Sequence, residues 1–251
     1  MQNWKNILTD FDSISLSEME EVTLMDRVDT KFAFSINEID NVLHALKADY
    51  FILEVEGNRI SDYKSLYFDD EDFQFYKDHH NSKDRRFKVR YRSYISTDTH
   101  FFEIKEKRKG RTTKTRIPVE KINEELDGLH YDFLKNFIDK PENLEAKLWN
   151  EYKRITFVSK NKKERLTLDL DLSYEWEDKE RSFDLLVIAE LKQKRLDRSS
   201  RFFEIMKAMN IRPYRLSKYC LGALKMHKKS RLKYNRFKKK LLTLKRITDD
   251  I

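Results

Sequence analysis

The chain has 251 residues, of which 39% are hydrophobic, 13% aromatic and 38% charged, and its formal net charge is +8. That share of aromatic and apolar residues excludes a disordered chain and is enough to bury a core. No stretch approaches the roughly 20 apolar residues of a membrane helix, and the N-terminal residues lack a secretory signal pattern. The single cysteine excludes an intrachain disulfide, so we expect a protein of a reducing compartment, the cytoplasm.

Alternation of apolar and polar residues dominates the middle of the chain and predicts nine strands. In chain order these are residues 27–34, 51–56, 60–69, 85–95, 100–107, 112–119, 151–160, 164–172 and 184–193. Helical spacing predicts helices at 16–24, 36–48, 70–80, 129–138 and 199–209, and from Ser217 onward. Short turns between consecutive strands favour antiparallel pairing, so the fold class is α+β.

Positive charge is concentrated in two regions of the chain. Residues 85–116 contain 12 lysines and arginines against 3 acidic residues, and residues 225–246 contain 11 against none. Such an excess indicates either a solubilising surface or a polyanionic partner.

Sorted by alternate positions, several predicted strands have one apolar face and one charged, mostly cationic face. The strand 85–95 carries Lys88, Arg90 and Arg92 on its charged face. The charged faces of the other strands hold Lys31, Glu103, Lys105, Lys114, Arg116, Arg154, Arg165, Asp169, Asp171, Glu190 and Lys192. In strand 164–172 this pattern places four leucines together on the apolar face.

Two architectures fit these faces. In an open antiparallel sheet, the charged faces simply contact water. In a closed barrel, they line a polar hollow while helices cover the apolar outside, and about eight strands are enough to hold a ligand. Patterning alone leaves both architectures open.

Cations gathered in one hollow repel each other and are costly to desolvate, so a barrel of this kind requires an anionic ligand. Arginine matches phosphate oxygens with a planar fork and lysine adds a mobile charge, so a chain of phosphates suits the hollow. Among these cations, Glu103 and Glu190 are either salt-bridge partners or ligands of Mg²⁺ or Mn²⁺. The sequence contains no zinc-site, P-loop or dinucleotide-binding motif.

An ordered set of short motifs resembles the catalytic domain of vacuolar transporter chaperone (VTC) proteins, which are polyphosphate polymerases among the triphosphate tunnel metalloenzymes. The resemblance spans about residues 16–224. The motifs are LMDRVDTKF (24–32), SLYFD (65–69), FKVRYRSY (87–94), FFEIKEK (101–107), RLTLDLDL (165–172), VIAELK (187–192) and SKY (217–219). The resemblance implies an antiparallel, eight-stranded tunnel β-barrel with helices packed on the outside. We therefore expect a tunnel domain over residues 1–224 and a basic helical tail over residues 225–251.

The resemblance also implies roles for individual residues. Phosphate-binding and catalytic positions correspond to Lys31, Arg90, Arg92, Lys105, Lys114, Arg154, Arg165, Lys192 and Lys218. We add Arg27, Lys88 and Arg116 as further binding residues, and Glu190 and Glu103 as metal ligands. The wider superfamily carries E-x-E-x-K on its first strand, whereas Arg27, Asp29 and Lys31 occupy that spacing here, which puts a second metal site in doubt.

The function implied is transfer of the terminal phosphate of ATP to polyphosphate, with Mn²⁺ or Mg²⁺ as cofactor. The alternatives are a triphosphatase of the same fold and a non-catalytic polyanion-binding or nucleic-acid-binding module. We expect ATP and polyphosphate as partners and no specific nucleic acid. The basic tail could contact an anionic membrane, a membrane protein or the emerging polymer, or form a solvated surface helix.

Overall fold

The computed structural model describes residues 4–20, 27–109, 111–227 and 232–249. Its helices are α1 (Trp4–Thr9), α2 (Leu16–Glu20), α3 (Ile39–Leu46), α4 (Gln74–His80), α5 (Gly128–Leu134), α6 (Arg201–Ala208), α7 (Lys218–Met226) and α8 (Asn235–Asp249). Its strands are β1 (Ser13–Ile14), β2 (Val28–Ser35), β3 (Tyr50–Leu53), β4 (Ser61–Asp70), β5 (Arg86–Tyr94), β6 (Thr99–Arg108), β7 (Arg111–Val119), β8 (Leu144–Ser159), β9 (Glu164–Trp176), β10 (Lys179–Phe183) and β11 (Leu186–Gln193). All nine predicted strands are present, whereas α1, β1 and β10 were not predicted. The end of the predicted helix 16–24 lies outside the described residues.

Eight antiparallel strands form the main sheet, in the order β2-β11-β9-β8-β4-β5-β6-β7. The sheet curls into a half-barrel, with β1, β3 and β10 attached at its margins. The predicted α+β fold with an eight-stranded antiparallel sheet of the tunnel type is confirmed.

The outer face of the sheet is covered by two apolar clusters. Around β2, β9 and β11, side chains such as Phe32, Leu168 and Val187 pack against α1, α3 and α6. Around β4, β5 and β6, side chains such as Tyr91 and Phe102 pack near α5. Each buried side chain of this size contributes about 1.5–3 kcal/mol from apolar burial, so the outer face contributes strongly to the stability of the half-barrel.

Helix α7 packs against the inner face of the sheet, at one end. Its residues form a cluster with Ala33, Ile188 and Leu172, which lie on the concave side. Gly222 allows this approach, because a Cβ atom there would lie 2.5 Å from the ring of Tyr174. The inner end of the half-barrel is therefore filled by a helix, and the remaining hollow lies beyond it.

A β-bulge in β9 corrects one sequence-based prediction. Asp171 has a left-handed backbone conformation, with φ of 50°, and the pairing register of β8 with β9 shifts beside it. An extra residue of this kind reverses which side chains face inward. Leu166 and Leu168 therefore pack outside, whereas Leu172 packs inside against α7, so the prediction of four leucines on one face was wrong.

The buried carboxylate of Asp69 holds α4 and α7 to the end of β4. It accepts hydrogen bonds from the backbone N–H groups of Phe75 (2.9 Å) and Tyr76 (3.0 Å) and from the hydroxyl of Tyr219. Burial raises the pKa of Asp69 to about 6, against the opposing effect of these hydrogen bonds. One side chain thus ties the inner helix to the sheet.

The edge strand β2 is covered by the segment that leads into α7. The backbone N–H of Tyr214 donates to the carbonyl of Lys31 at 2.6 Å, and Lys31 Nζ donates to the carbonyl of Leu216 at 3.4 Å. The C-terminal helix α8 adjoins this segment, with its Phe237 and Leu244 buried. A covered edge has fewer free backbone groups to pair with another chain. No helix in the described parts of the chain is both long and apolar enough to cross a membrane.

Candidate functional site

The concave face of the sheet gathers charged side chains from successive strands. Strand pairing sets Lys31 opposite Glu190, Arg154 opposite Asp169, and Arg90 opposite Glu103. Because directly paired residues point to the same face, these pairs belong to one surface. Together with Lys88, Arg92, Lys105, Arg165, Lys192 and Lys218, they line the hollow beyond α7.

Charges on distant strands interact across this hollow. Lys105 on β6 helps to lower the pKa of Glu190 on β11, although four strands separate them in the sheet. In a flat sheet, five spacings would place these strands roughly 24 Å apart, beyond the screening length of about 10 Å. Lys31 on β2 likewise contributes to the lowered pKa of Lys88 on β5. The cationic rows therefore converge on one space.

Glu103 lies at the centre of one ion-pair cluster. Its carboxylate accepts from Arg90 Nη2 at 2.7 Å and Nε at 3.0 Å, and from Lys114 Nζ at 3.3 Å. Arg90 also donates to the Tyr67 hydroxyl at 3.1 Å. Burial opposes ionisation of Glu103, whose side chain is 1% exposed, but Arg90, Arg92 and Lys114 outweigh it and hold its pKa well below the ordinary value.

Asp169 is the centre of a second cluster that the sequence-based site did not include. It accepts from Arg154 Nε at 2.6 Å and Nη2 at 2.9 Å, and it pairs with Lys218 at the start of α7. Burial opposes ionisation, but Arg154 and Lys218 hold the pKa of Asp169 well below its ordinary value. The sequence did contain a sign of this role. Asp169 lies two residues after Thr167 and four after Arg165, so the three share the charged face of one strand.

Glu190 is held more loosely than the other two carboxylates. Its oxygens lie 3.6 Å from Lys31 Nζ and 3.4 Å from Lys192 Nζ, and its side chain is 17% exposed. Burial opposes ionisation, but Lys192, Lys31 and Lys105 hold its pKa well below the ordinary value. An ionised, accessible carboxylate therefore faces the hollow.

Two stacked tyrosines hold cations in place without neutralising them. The rings of Tyr63 and Tyr152 lie 5.2 Å apart and nearly parallel. Arg92 and Arg154 lie over Tyr63 at 5.3 and 4.9 Å, and Lys218 lies over Tyr152 at 4.3 Å. Cation–π contacts of this kind position a charge that stays available to a ligand. Sequence reasoning missed both tyrosines.

The hollow contains more positive than negative charge. The hollow is faced by the carboxylates of Glu103, Asp169 and Glu190, with Asp29 opposite Lys192 at the edge strand β2. The cations that face them are Lys31, Lys88, Arg90, Arg92, Lys105, Arg154, Arg165, Lys192 and Lys218. Within the described residues, Arg92 forms no direct salt bridge, although it lies near enough to Glu103 to help lower the pKa of that carboxylate, and its buried Nε has no hydrogen bond. Burial lowers the pKa of Lys88 and of Lys105, because the charged form of each side chain loses hydration in the hollow. An anion bound in the hollow would offset that loss.

The remaining predicted residues lie toward the margins. Arg116 is exposed and stacks on Phe101 at 4.0 Å, and Arg27 is exposed and pairs with Asp29 at 3.1 Å. Lys114 is also exposed, although its ammonium reaches Glu103. These cations therefore lie at the border between the hollow and the solvent.

A metal ion would depend on few protein ligands. No group of three or more histidine, cysteine, aspartate or glutamate side chains converges within the described part of the chain. Glu103 is enclosed by Arg90 and Lys114, whereas Glu190 is accessible and ionised. Magnesium is commonly held by one or two carboxylates together with substrate phosphates, so Glu190 fits such an ion and Glu103 does not.

Comparison with known proteins agrees with this architecture. A family model described as the VTC domain matches residues 26–227. The chain belongs to the VTC family. The VTC match includes every residue predicted for the site, from Arg27 to Lys218, and ends before α8.

Two solved structures are similar to this VTC domain at low sequence identity. A candidate adenylate cyclase from Bacillus halodurans has a TM-score of 0.50 and 15% identity, over 76% of this chain and 93% of that chain. An adenylyl cyclase candidate from Hippeastrum, described as having a dominant triphosphatase activity, has a TM-score of 0.48 and 13% identity, over 78% and 94% of the two chains. No curated protein matches the chain.

The pKa of Lys218 gives the VTC domain a testable pH dependence. Burial lowers it to about 8, against the opposing effect of Asp169. Near pH 8 the free protein therefore holds Lys218 about half protonated. A bound polyanion stabilises the charged form, so binding of tripolyphosphate should draw protons onto Lys218 and weaken as the pH rises through 8.

Calorimetry at pH 8 in two buffers of different ionisation enthalpy measures this proton uptake. Lys218→Arg keeps a permanent charge beside Asp169, so it should take up about half a proton less than the wild type. Equal uptake by the two proteins would show that Lys218 does not titrate on binding.

Proposed function

We propose that this VTC domain is a metal-dependent polyphosphate polymerase, which transfers the terminal phosphate of ATP to a polyphosphate chain. The observation that supports the proposal best is the convergence of cations from β2, β5, β6, β8, β9 and β11 on one hollow, where they outnumber the carboxylates. A row of phosphates carries regularly spaced negative charge and matches a cation-lined channel along its length.

In the proposed reaction, an oxygen of the terminal phosphate of polyphosphate attacks the γ-phosphorus of ATP. The new P–O bond forms as the bond from the γ-phosphorus to the β–γ bridging oxygen breaks, and ADP leaves with that oxygen. At neutral pH the attacking phosphate is already ionised, so the protein's task is to position the reactants and offset charge. Arg90, Arg92, Arg154 and Lys218 are the residues we assign to that task.

The carboxylates have two different roles in this proposal. Glu103 and Asp169 are positioning residues, because each is almost fully buried and holds the guanidinium of Arg90 or Arg154 in a fixed direction. Glu190 would hold Mn²⁺ or Mg²⁺ together with substrate phosphates. When bound, such an ion offsets charge that develops on the leaving group.

Product analysis tests the proposal directly. The protein is incubated with ATP and Mn²⁺, and again with Mg²⁺, and the products are separated on a polyacrylamide gel. Long polyphosphate chains are the expected result, with one ADP released for each phosphate unit incorporated. Free phosphate without polymer would instead identify a triphosphatase, and no turnover together with tight duplex DNA binding would favour a nucleic-acid-binding module.

The structure gives a reason to expect little competition from duplex DNA. The cations lie on the concave face, and α7 fills one end of it. The aromatic residues Phe87 and Tyr91 of the basic strand β5 belong to the outer core, where they cannot stack on bases. Competition between polyphosphate and a DNA duplex measures this preference.

A further inference from the structure

The exposed side of α8 is a cationic surface that the proposed reaction does not use. Phe237 and Leu244 are buried, and they lie two turns apart on one side of the helix. On the other side Lys238, Lys239 and Arg246 are exposed. The outside of the protein thus has, on α8, a cationic surface made of the same residue types that line the hollow.

Helix α8 lies beside the open edge of the half-barrel. The Tyr214 hydroxyl donates to the carbonyl of Lys240 at 2.7 Å, and the backbone N–H of the same tyrosine donates to the carbonyl of Lys31 at 2.6 Å. One residue thus links α8 to the strand β2, at which the sheet ends. On its other side α8 is fixed to α4, where Phe237 packs at 5.4 Å from the ring of His80.

Cations continue from the hollow to α8 around His79. Burial, together with the charges of Lys88, Arg86, Lys240 and Lys31, lowers the pKa of His79 to about 2. These cations come from β5, α8 and β2, so they surround one side chain. Arg215 adds positive charge at the same place, since it helps to lower the pKa of both Lys107 and Lys240.

We propose that the exposed cationic side of α8 binds the part of a long polyphosphate chain that extends beyond the hollow. The inference rests on the proposed function, because it assumes that phosphates occupy the hollow. Two observations support it, the charge complementarity of Lys238 and Lys239 with phosphate and the continuity of cations past His79.

The packing of α8 argues against an anionic membrane as the occupant. A helix that lies on a bilayer buries its apolar face among the lipids. In α8 that face, which includes Phe237 and Leu244, already packs against the protein, and among its large apolar side chains Leu242 is the exposed one, at 50%. A surface of this kind suits a flexible polyanion in solution.

Binding of a short and a long ligand to the full chain tests the inference. The probes are tripolyphosphate, which the hollow can hold, and long-chain polyphosphate. The double variant Lys238→Gln/Lys239→Gln is compared with Lys121→Gln/Lys140→Gln, which removes two exposed cations elsewhere. Near physiological salt, we expect the α8 variant to bind the long chain about tenfold more weakly. The slope of log affinity against log salt concentration should become less negative by about 1.4, since each cation removed changes it by about 0.7.

The same variant should bind tripolyphosphate as the wild type does, and the control variant should bind both ligands unchanged. Equal weakening of the long chain by both double variants, or of tripolyphosphate by the α8 variant, would overturn the inference. Vesicles containing phosphatidylserine provide the third probe. Loss of vesicle binding with unchanged polyphosphate binding would assign α8 to a membrane instead.

Failure of this inference is distinguishable from failure of the proposed function. If the wild type binds both phosphate ligands, the α8 variant loses affinity for the long chain alone, and no polymer forms from ATP, the role of α8 stands and the polymerase assignment fails. If polymer forms and the α8 variant binds long chains normally, the polymerase assignment stands and the role of α8 is refuted. If the wild type binds neither ligand, both are refuted.

Discussion

Replacing Arg90 with alanine is expected to lower the turnover of ATP into polyphosphate by about 100-fold or more. Arg90 faces the hollow with its guanidinium fixed by Glu103 and Tyr67. Loss of one preorganised electrostatic contact typically costs about 2.7–4 kcal/mol in the reaction barrier. Initial rates of polymer formation at saturating ATP measure the effect. Arg201→Ala is the matched control, because Arg201 is an exposed arginine that pairs with Asp49 on the outside.

Arg90→Ala also leaves the buried carboxylate of Glu103 with Lys114 as its remaining ion-pair partner. Breaking a buried pair in this way costs about 3–5 kcal/mol, so part of the lost activity could reflect unfolding. The double variant Arg90→Met/Glu103→Gln removes both charges and should recover most of the thermal stability without recovering activity. Recovery of activity in that variant would show that Arg90 acts on the fold and not on the phosphates.

Replacing Glu190 with glutamine is expected to lower kcat as strongly as Arg90→Ala does, without weakening the binding of substrate. The change removes a negative charge that lies between Lys31 and Lys192 and keeps the shape of the side chain. Both lysines then offer uncompensated charge, so the affinity for tripolyphosphate should rise or stay constant. Turnover should fall by about 100-fold or more, because a metal ion held there loses its protein ligand.

The dependence of rate on Mn²⁺ concentration separates a metal-holding role from a purely electrostatic one. Glu190→Gln should shift the half-saturating metal concentration upward. Asp169→Asn should lower activity without that shift, since Asp169 is enclosed by Arg154 and Lys218. Glu204→Gln, at an exposed position on α6, is the control for the loss of a carboxylate. An unchanged metal dependence in Glu190→Gln would contradict the assignment of the ligand.

Period-two alternation predicts which side chains share a face along the regular parts of the strands. Lys31, Arg90, Arg154 and Glu190 lie on one concave surface because regular pairing keeps alternate side chains on the same side. Alternation could not predict the bulge at Asp171, where one residue with positive φ exchanges the inward and outward faces for the rest of β9.

The ion pairs within the hollow required the three-dimensional register. The ion pair of Asp169 with Arg154 depends on how β8 aligns with β9. Its further partners, Lys218 and Tyr63, come from distant parts of the sequence. The inner position of α7 had a signal that sequence reasoning did not use. Residues 219–224 are uncharged on every side of the helix, which is typical of a helix enclosed by protein.

A crystal structure with a non-hydrolysable triphosphate and Mn²⁺ would test the central claim most directly, which is that the cations of separate strands hold a row of phosphates. The account predicts phosphate oxygens within hydrogen-bonding distance, about 2.7–3.2 Å, of Arg90, Arg92 and Arg154, with the metal ion at Glu190. A triphosphate bound elsewhere on the protein, with these guanidinium groups contacting only water and their present protein neighbours, would contradict it.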